Sequence, residues 1–245
     1  MPKFAVILPA AGQSSRFHDK HYKKPFIPLE NKAVWLHSAE KFLNRDDVKQ
    51  VILVISPEDR EEFDSKFAAN VMILGIEVVE GGKERSDSIA NALAKVKDDI
   101  DYIAVHDAAR PCIANEWIDN VFGTAEKSGA AILAIPIAGT IKRVANGNIE
   151  ETVPRANLWE AQTPQVFERK LLLDAYAKRG ESPATDDAEL VERLGKPVTI
   201  VEGSPVNLKI TTKEDLRLAA HALKALPKPK VLGGLHPFEN DDMWR

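Results

Sequence analysis

The sequence predicts an α/β fold, a mostly parallel sheet with helices on both faces. Three observations predict it. Short apolar runs of strand length alternate with stretches of helical spacing. Those runs are apolar throughout, as strands covered on both faces require. Apolar residues make up 44% of the 245 residues, enough for the core of one large domain or two small ones.

The elements follow in order. Phe4 to Leu8 is a short apolar run and reads as the first strand. It breaks at Pro9-Ala10-Ala11-Gly12 and opens into a basic stretch containing Arg16, His18, Lys20, His21, Lys23 and Lys24. Val34 to Leu43 has helical spacing. Gln50 to Ser56 is a second buried-type strand. Pro57 suits a helix start, and Glu58, Asp59, Glu61 and Glu62 favour the positive end of the helix dipole. Gly75 to Glu80 reads as a strand ended by Gly81-Gly82, and Ser86 to Val96 as a helix. Asp101 to His106 is a further strand, Glu116 to Lys127 a helix, and Ala130 to Pro136 a fifth strand. This order places parallel strands between covering helices, a Rossmann-like arrangement.

The rhythm then changes. Thr140 to Val144 and Ile149 to Val153 flank Asn146-Gly147, a strong hairpin signal. Both flanks are rich in charge, and an isolated hairpin is marginal in water. The expectation is a projecting β-arm, at about 138–160, docked on a second copy of the chain in a homodimer. Helices resume at about Arg169 to Lys178 and Asp186 to Leu194. A strand follows at Val198 to Glu202, and Thr212 fits the N-cap of a helix from Lys213 to about Ala225. Residues 1–226 are expected to form a single domain. Residues 227–245 lack periodicity and read as a C-terminal extension.

Bulk chemistry excludes several classes. The net charge is −4, which argues against nucleic-acid or membrane-surface binding and makes the basic stretch after Gly12 more informative. There is one cysteine, Cys112, so no intrachain disulfide forms. No apolar run reaches membrane-spanning length, and the first strand starts without a signal-peptide pattern. A cytoplasmic location is expected.

In an open α/β sheet, ligands bind at the carboxyl ends of the strands. Four polar clusters fall there: Pro9 to Lys24, Gly81 to Ser88, His106 to Pro111, and Pro136 to Thr140. The first lets backbone N–H groups approach phosphate oxygens, with Arg16 and Lys24 as cations. It matches neither a Walker loop nor a dinucleotide fingerprint. Gly81-Gly82 permits close approach to a base edge, and Ser86 or Ser88 adds a hydroxyl. For Ser86 a plain N-cap is an equal alternative. Asp107 suits a divalent cation, a ligand hydroxyl, or an ion pair with Arg110. His106 reads as a core or supporting residue. A carboxylate, several cations and Gly-rich backbone fit phosphoryl or nucleotidyl transfer, where positioning and charge stabilisation supply most of the catalysis.

Pro9-Ala-Ala-Gly12…Arg16…Lys24, Gly81-Gly82…Arg85…Ser88, Val105 to Pro111, Thr140-Ile-Lys142, Trp159…Gln162-Thr-Pro-Gln165 and Asn207 to Thr211 form a colinear series. Together they resemble the 2-C-methyl-D-erythritol 4-phosphate cytidylyltransferase family. The resemblance runs to the C-terminal helix and leaves only the extension outside it. It implies a nucleotidyltransferase that moves CMP from CTP to 2-C-methyl-D-erythritol 4-phosphate, releases pyrophosphate and uses Mg2+. Arg16 and Lys24 would stabilise the transition state. Arg155, Lys209, Asp107, Ala108, Arg110 and Thr140 would position the acceptor. Pro9, Ala10, Ala11, Gly12, Gly82, Lys83 and Ser88 would hold CTP. Asp107 would meet the metal, directly or through water. Arg155 and Thr140 would act across the homodimer through the arm. Ser14 stands where the family usually carries glycine, and Lys24-Pro25-Phe26 where it carries Lys-Gln-Tyr or Lys-Gln-Phe, so Lys23 is an alternative to Lys24. A ribitol 5-phosphate cytidylyltransferase and a non-catalytic nucleotide-binding module are the competing readings.

Overall fold

The computed structural model describes residues 1–12, 24–180, 182 and 184–227, with Lys24 by its backbone alone. Arg16, Lys23 and the extension beyond Pro227 lie outside the described residues, as does the side chain of Lys24.

The first half of the chain runs β1 (Phe4–Pro9), β2 (Pro28–Leu29), β3 (Lys32–Ala33), α1 (Val34–Leu43), β4 (Val48–Ile55) and α2 (Arg60–Leu74). It continues through β5 (Glu77–Glu80), α3 (Arg85–Leu93), β6 (Tyr102–Val105), α4 (Asn115–Ser128) and β7 (Ala130–Pro136). The second half holds β8 (Ile141–Ala145), β9 (Asn148–Val153), β10 (Trp159–Glu168) and α5 (Arg169–Ala177). It ends with α6 (Asp187–Arg193), β11 (Thr199–Glu202) and α7 (Lys213–Lys224).

Seven strands form the central sheet in the order β11-β7-β10-β6-β1-β4-β5. All neighbours are parallel except β10, which runs antiparallel between β6 and β7. Successive side chains of a strand point to opposite faces, and each face has its own core. Phe4, Val6, Leu8, Leu53 and Ile55 meet α1, α2 and α4. Ala5, Ile7, Ile52, Val54 and Val105 meet α3, α5 and α6. Helices therefore cover both faces, which is why the strands are apolar without alternation. A third cluster seats α7 against Ile27, Leu29 and Val34.

The arm and the central sheet divide differently from expectation. Among the described residues, β8 and β9 pair only with each other, as a two-stranded sheet turned at Asn146-Gly147. Trp159 and Glu160, placed in the arm by the sequence reading, belong instead to β10, a central strand. Its polar residues conceal it: Gln162, Thr163 and Gln165 are buried, and Pro164 interrupts the run. Between Ala161 and Gln165, β10 advances four residues while β7 advances two, from Ala134 to Ile132. This bulge sits at the end of the sheet where β1 and β6 finish.

Two smaller differences concern helix starts. The third helix begins at Arg85, so Ser86 is not its N-cap; Glu84 holds that place, and Asp87 Oδ2 accepts from Glu84 N–H at 3.2 Å. Gly75 closes α2 with a left-handed φ of +64°, so the next strand starts at Glu77.

Candidate active site

A cavity of about 430 Å³ opens at the carboxyl end of the parallel strands. Pro9, Ala10, Ala11 and Gly12 form one wall, Gly82, Lys83 and Ser88 a second, and Asp107 and Lys209 a third. The sequence placed all nine at a site, and the fold brings them to one. Ala108 and Arg110 do not line it. Ala108 is fully buried, and its carbonyl accepts from Ser38 Oγ at 3.0 Å. Thr140 and Arg155 flank the arm, are exposed and do not line this cavity. Arg155 Nη1 donates to Ala138 O.

Backbone bonds set the first two walls. Ala10 N–H donates to Val54 O at 2.7 Å, and Gly81 N–H to Ile55 O at 2.8 Å. Both loops are thus tied to β4 and face each other. A Cβ on Gly81 would stand 2.6 Å from Ala11 Cβ and 2.8 Å from Ser88 Oγ, so only glycine allows this approach. Ser88 Oγ accepts from Gly82 N–H and donates to Glu84 O, both at 3.1 Å. Its hydroxyl therefore shapes the loop, and it keeps one acceptor lone pair for a ligand.

The third wall is electrostatic. Asp107 Oδ2 accepts from Lys209 Nζ at 2.9 Å and from Arg110 Nε at 3.4 Å. Burial would push this carboxyl up, but Lys209, Arg85 and Arg110 together hold it well below the usual carboxylate range. Asp107 is a fixed anion that orients cations. Lys209 projects from the segment after β11, whose Ile210 N–H donates to Ala109 O at 2.9 Å.

A buried polar network supports Asp107 from below. Its N–H donates to Thr163 Oγ1 at 3.0 Å, and the Thr163 hydroxyl lies 3.1 Å from His106 Nδ1. His106 Nε2 lies 3.0 Å from Arg110 O, an obligate acceptor, so Nε2 carries the proton and Nδ1 accepts. Burial pushes this imidazole down to about 4, which keeps it neutral. Arg110 Nη1 donates to Asn207 O at 2.7 Å, and Asn207 Nδ2 donates to Thr163 O at 2.9 Å. Arg110 is a positioning residue under Asp107 and Lys209. Thr163 and Asn207, quoted in sequence blocks without a role, acquire one here.

Arg85 also faces the cavity, between Gly82 and Asp107. It belongs to the Gly81-Gly82…Arg85…Ser88 series, but the sequence predicts no contact for it. Its partner Asp187 lies 102 positions away and so gives no local signal.

Among the described residues, no three His, Cys, Asp or Glu side chains converge as a metal site. Asp107 has Oδ2 already occupied and too few partner ligands among the described residues to hold a resident ion, so it fits a magnesium ion arriving on substrate phosphates.

The family model for 2-C-methyl-D-erythritol 4-phosphate cytidylyltransferase matches residues 4–225. A 2-C-methyl-D-erythritol 4-phosphate cytidylyltransferase of Rhodopirellula baltica is 43% identical over 226 residues, covering 88% of this chain and 92% of the relative. One of Bacillus cereus is 39% identical over 227 residues, covering 92% and 100%. Among solved structures, that of 2-C-methyl-D-erythritol 4-phosphate cytidylyltransferase from Thermus thermophilus superposes with TM-score 0.75 at 29% identity, covering 91% of this chain and 100% of that one. The Francisella tularensis enzyme gives TM-score 0.74 at 29% identity, with coverage of 90% and 100%.

Proposed function

The chain belongs to the 2-C-methyl-D-erythritol 4-phosphate cytidylyltransferase family, and on that premise we propose how its site divides the work. The reaction moves CMP from CTP to 2-C-methyl-D-erythritol 4-phosphate, in the synthesis of isoprenoid precursors. A phosphate oxygen of the acceptor attacks the α-phosphorus of CTP. The bond from that phosphorus to the bridging oxygen of the β-phosphate breaks, and pyrophosphate leaves with the electron pair.

One observation carries the reading. The Asp107–Lys209 pair at 2.9 Å stands across one cavity from the backbone of Pro9–Gly12 and Gly82. The backbone walls take the nucleotide: small residues at Ala10, Ala11 and Gly12 let N–H groups reach the triphosphate, and the Gly82 loop reads cytosine with Lys83 and Ser88. Lys209 binds the acceptor phosphate, and the Asp107 Oδ1 left unpaired by Lys209 and Arg110 accepts an acceptor hydroxyl. Arg16 and Lys24 supply the cations for charge developing at the α-phosphate. Asp107 is the carboxylate that would meet a magnesium ion carried by the triphosphate, through water, and the ion would supply neutralisation of phosphate charge.

The arm completes the site from a second copy. Thr140 and Arg155 do not line their own chain's cavity, and Val144 and Ile149 on the arm are 57% and 64% exposed. Such side chains gain by burial against a partner arm. Homodimerisation would then deliver Thr140 and Arg155 to the partner's acceptor pocket.

Pyrophosphate release from CTP, measured with 2-C-methyl-D-erythritol 4-phosphate and with ribitol 5-phosphate, tests the acceptor assignment. Turnover with the first is expected. Turnover with the second alone would overturn it.

A further inference from the structure

Arg85 is the first residue of α3, beside the Gly82 loop, and its side chain is 30% exposed to the cavity. Its Nη2 donates to Asp187 Oδ2 at 2.6 Å. Asp187 is wholly buried in the first turn of α6 and is fixed before it meets the arginine. The Tyr176 hydroxyl donates to its Oδ1. Its own N–H and that of Ala188 donate to Gln165 Oε1, each at 3.1 Å. Gln165 in turn belongs to β10, whose bulge builds the floor under Asp107.

A guanidinium has five N–H donors. Among the described residues, Arg85 makes one hydrogen bond, to Asp187. Among those residues its other donors meet no acceptor, and the side chain lines the cavity. Charge points the same way. Of the charged side chains on the inner wall of the cavity, Arg85 and Lys209 set two positive charges against one negative one on Asp107. Lys83 and Glu84 on the cavity rim, both exposed, cancel each other. The inner wall carries a surplus cation with spare donors and planar geometry, the combination that recognises a phosphate group by two parallel hydrogen bonds. A helix tie alone would need neither the spare donors nor a position facing the cavity. Of the two phosphate sources, the acceptor is favoured because Arg85 lines the same cavity as the hydrogen-bonded pair Lys209 and Asp107, assigned to the acceptor above.

We infer that Arg85 binds the phosphate of the acceptor beside Lys209, and that Asp187, Tyr176 and Gln165 are the positioning residues that aim it. This rests on the functional reading above. It adds a substrate contact and extends the working part of the molecule to α6.

The test is steady-state pyrophosphate release by full-length wild type, Arg85→Gln, Arg85→Lys and Asp187→Asn, with each substrate varied in turn. Arg85→Gln is expected to raise the KM for the acceptor tenfold or more, and the KM for CTP less than threefold. Arg85→Lys, which keeps the charge but not the fork, should recover part of that loss. Asp187→Asn should raise the acceptor KM while Arg85 itself is intact. Inorganic phosphate should compete with the acceptor in wild type and compete several-fold less well in Arg85→Lys. The phosphate competition serves even if the glutamine variant fails to fold. A rise in the CTP KM alone would reassign Arg85 to the triphosphate and overturn the proposal. Unchanged KM values with a lowered Tm would reduce it to a helix tie. If wild type turned over only another sugar-alcohol phosphate, the acceptor's name would fall, yet the same split with that acceptor would still support Arg85. No turnover by wild type with any acceptor would overturn both.

Discussion

Lys209 Nζ stands 2.9 Å from Asp107 Oδ2, with the lysine side chain 45% exposed and the carboxylate side chain 11%. The pair thus has a buried anchor and a cation that still reaches the cavity. Removing the cation leaves Asp107 with Arg110 as its remaining hydrogen-bonded partner, at 3.4 Å. Lys209→Ala should therefore fold and retain CTP binding. Its acceptor KM should rise about tenfold or more, the scale of one charge-assisted hydrogen bond. Initial rates with each substrate varied separately check this. Equal rises in both KM values would contradict a role confined to the acceptor.

Gly81 keeps two walls of the cavity in contact. A methyl group there would stand 2.6 Å from Ala11 Cβ and 2.8 Å from Ser88 Oγ, and neither can retreat freely. Gly81→Ala should push the nucleotide loops apart. Overpacking of this kind costs about 1–3 kcal/mol. The expected outcome is a CTP KM raised about tenfold with the acceptor KM nearly unchanged, read beside a urea unfolding curve. An unaltered CTP KM would mean that the approach of these loops is irrelevant to nucleotide binding.

How much of this was legible in the sequence depends on what each residue does. The apolar strands were readable because Ile7, Leu8, Leu53 and Val54 are buried by helices on both sides. The Pro9–Gly12 and Gly81-Gly82 loops were readable because they break such strands abruptly. β10 was not, because polar side chains buried for hydrogen bonding, Gln162, Thr163 and Gln165, precede its apolar residues Val166 and Phe167 and leave too short a hydrophobic run. The part of the site that depends on β10 was hidden with it. The residues alone suggested an ion pair of Arg110 with Asp107, which the fold contains at 3.4 Å, whereas its place in the substrate pocket was implied by the family resemblance. In the fold Arg110 turns inward to Asn207 O, a residue 97 positions away.

His106 provides a pH signature for that hidden floor. Burial pushes its imidazole down to about 4, against about 6.5 for an unfolded chain. Between those values the unfolded chain takes up a proton that the folded chain refuses, so stability falls as pH falls. The contribution is complete above pH 6.5 and is lost by about pH 4. At pH 5 the loss from this residue is about 2 kcal/mol. Urea unfolding at pH 7.5 and pH 5 should show a steeper decline in wild type than in His106→Gln. The slope matters here, since the variant also loses the bonds to Thr163 and Arg110. Parallel declines would show that His106 is not the group responsible.

Gln165 joins the sheet to α6. Its Oε1 accepts from Asp187 and Ala188 N–H, and its Nε2 donates to Asp186 Oδ2 at 2.8 Å. Gln165→Leu keeps much of the volume and strands two N–H groups and a carboxylate oxygen. Unsatisfied buried groups cost about 1–3 kcal/mol each, so a loss of about 3 kcal/mol in unfolding free energy is expected. Hydrogen exchange localises it: amides of α6 should exchange faster while those of β1 and β4 stay protected. A loss spread evenly over the sheet would instead place Gln165 in the common core.

Shared sites between two copies make a sharper demand than dimerisation alone. Arg155 lies beside the arm, and Lys209 lines the cavity of its own chain. If the arm serves the partner's cavity, each site combines Lys209 of one copy with Arg155 of the other. Assayed well below the acceptor KM, Arg155→Ala and Lys209→Ala would each strongly impair both sites of a homodimer. In a mixed dimer, one site receives both mutations and the other receives neither. Equal mixing with free exchange makes half the dimers mixed, each with one intact site of two, so about a quarter of wild-type activity should return. If the arm served its own chain, every site in the mixed dimer would carry one mutation and no activity would return. Co-refolding the two variants and measuring pyrophosphate release decides between these arrangements. Ile149→Asp on the Arg155→Ala chain supplies the control: a charge on the exposed face of the arm should block assembly and abolish the recovery with it.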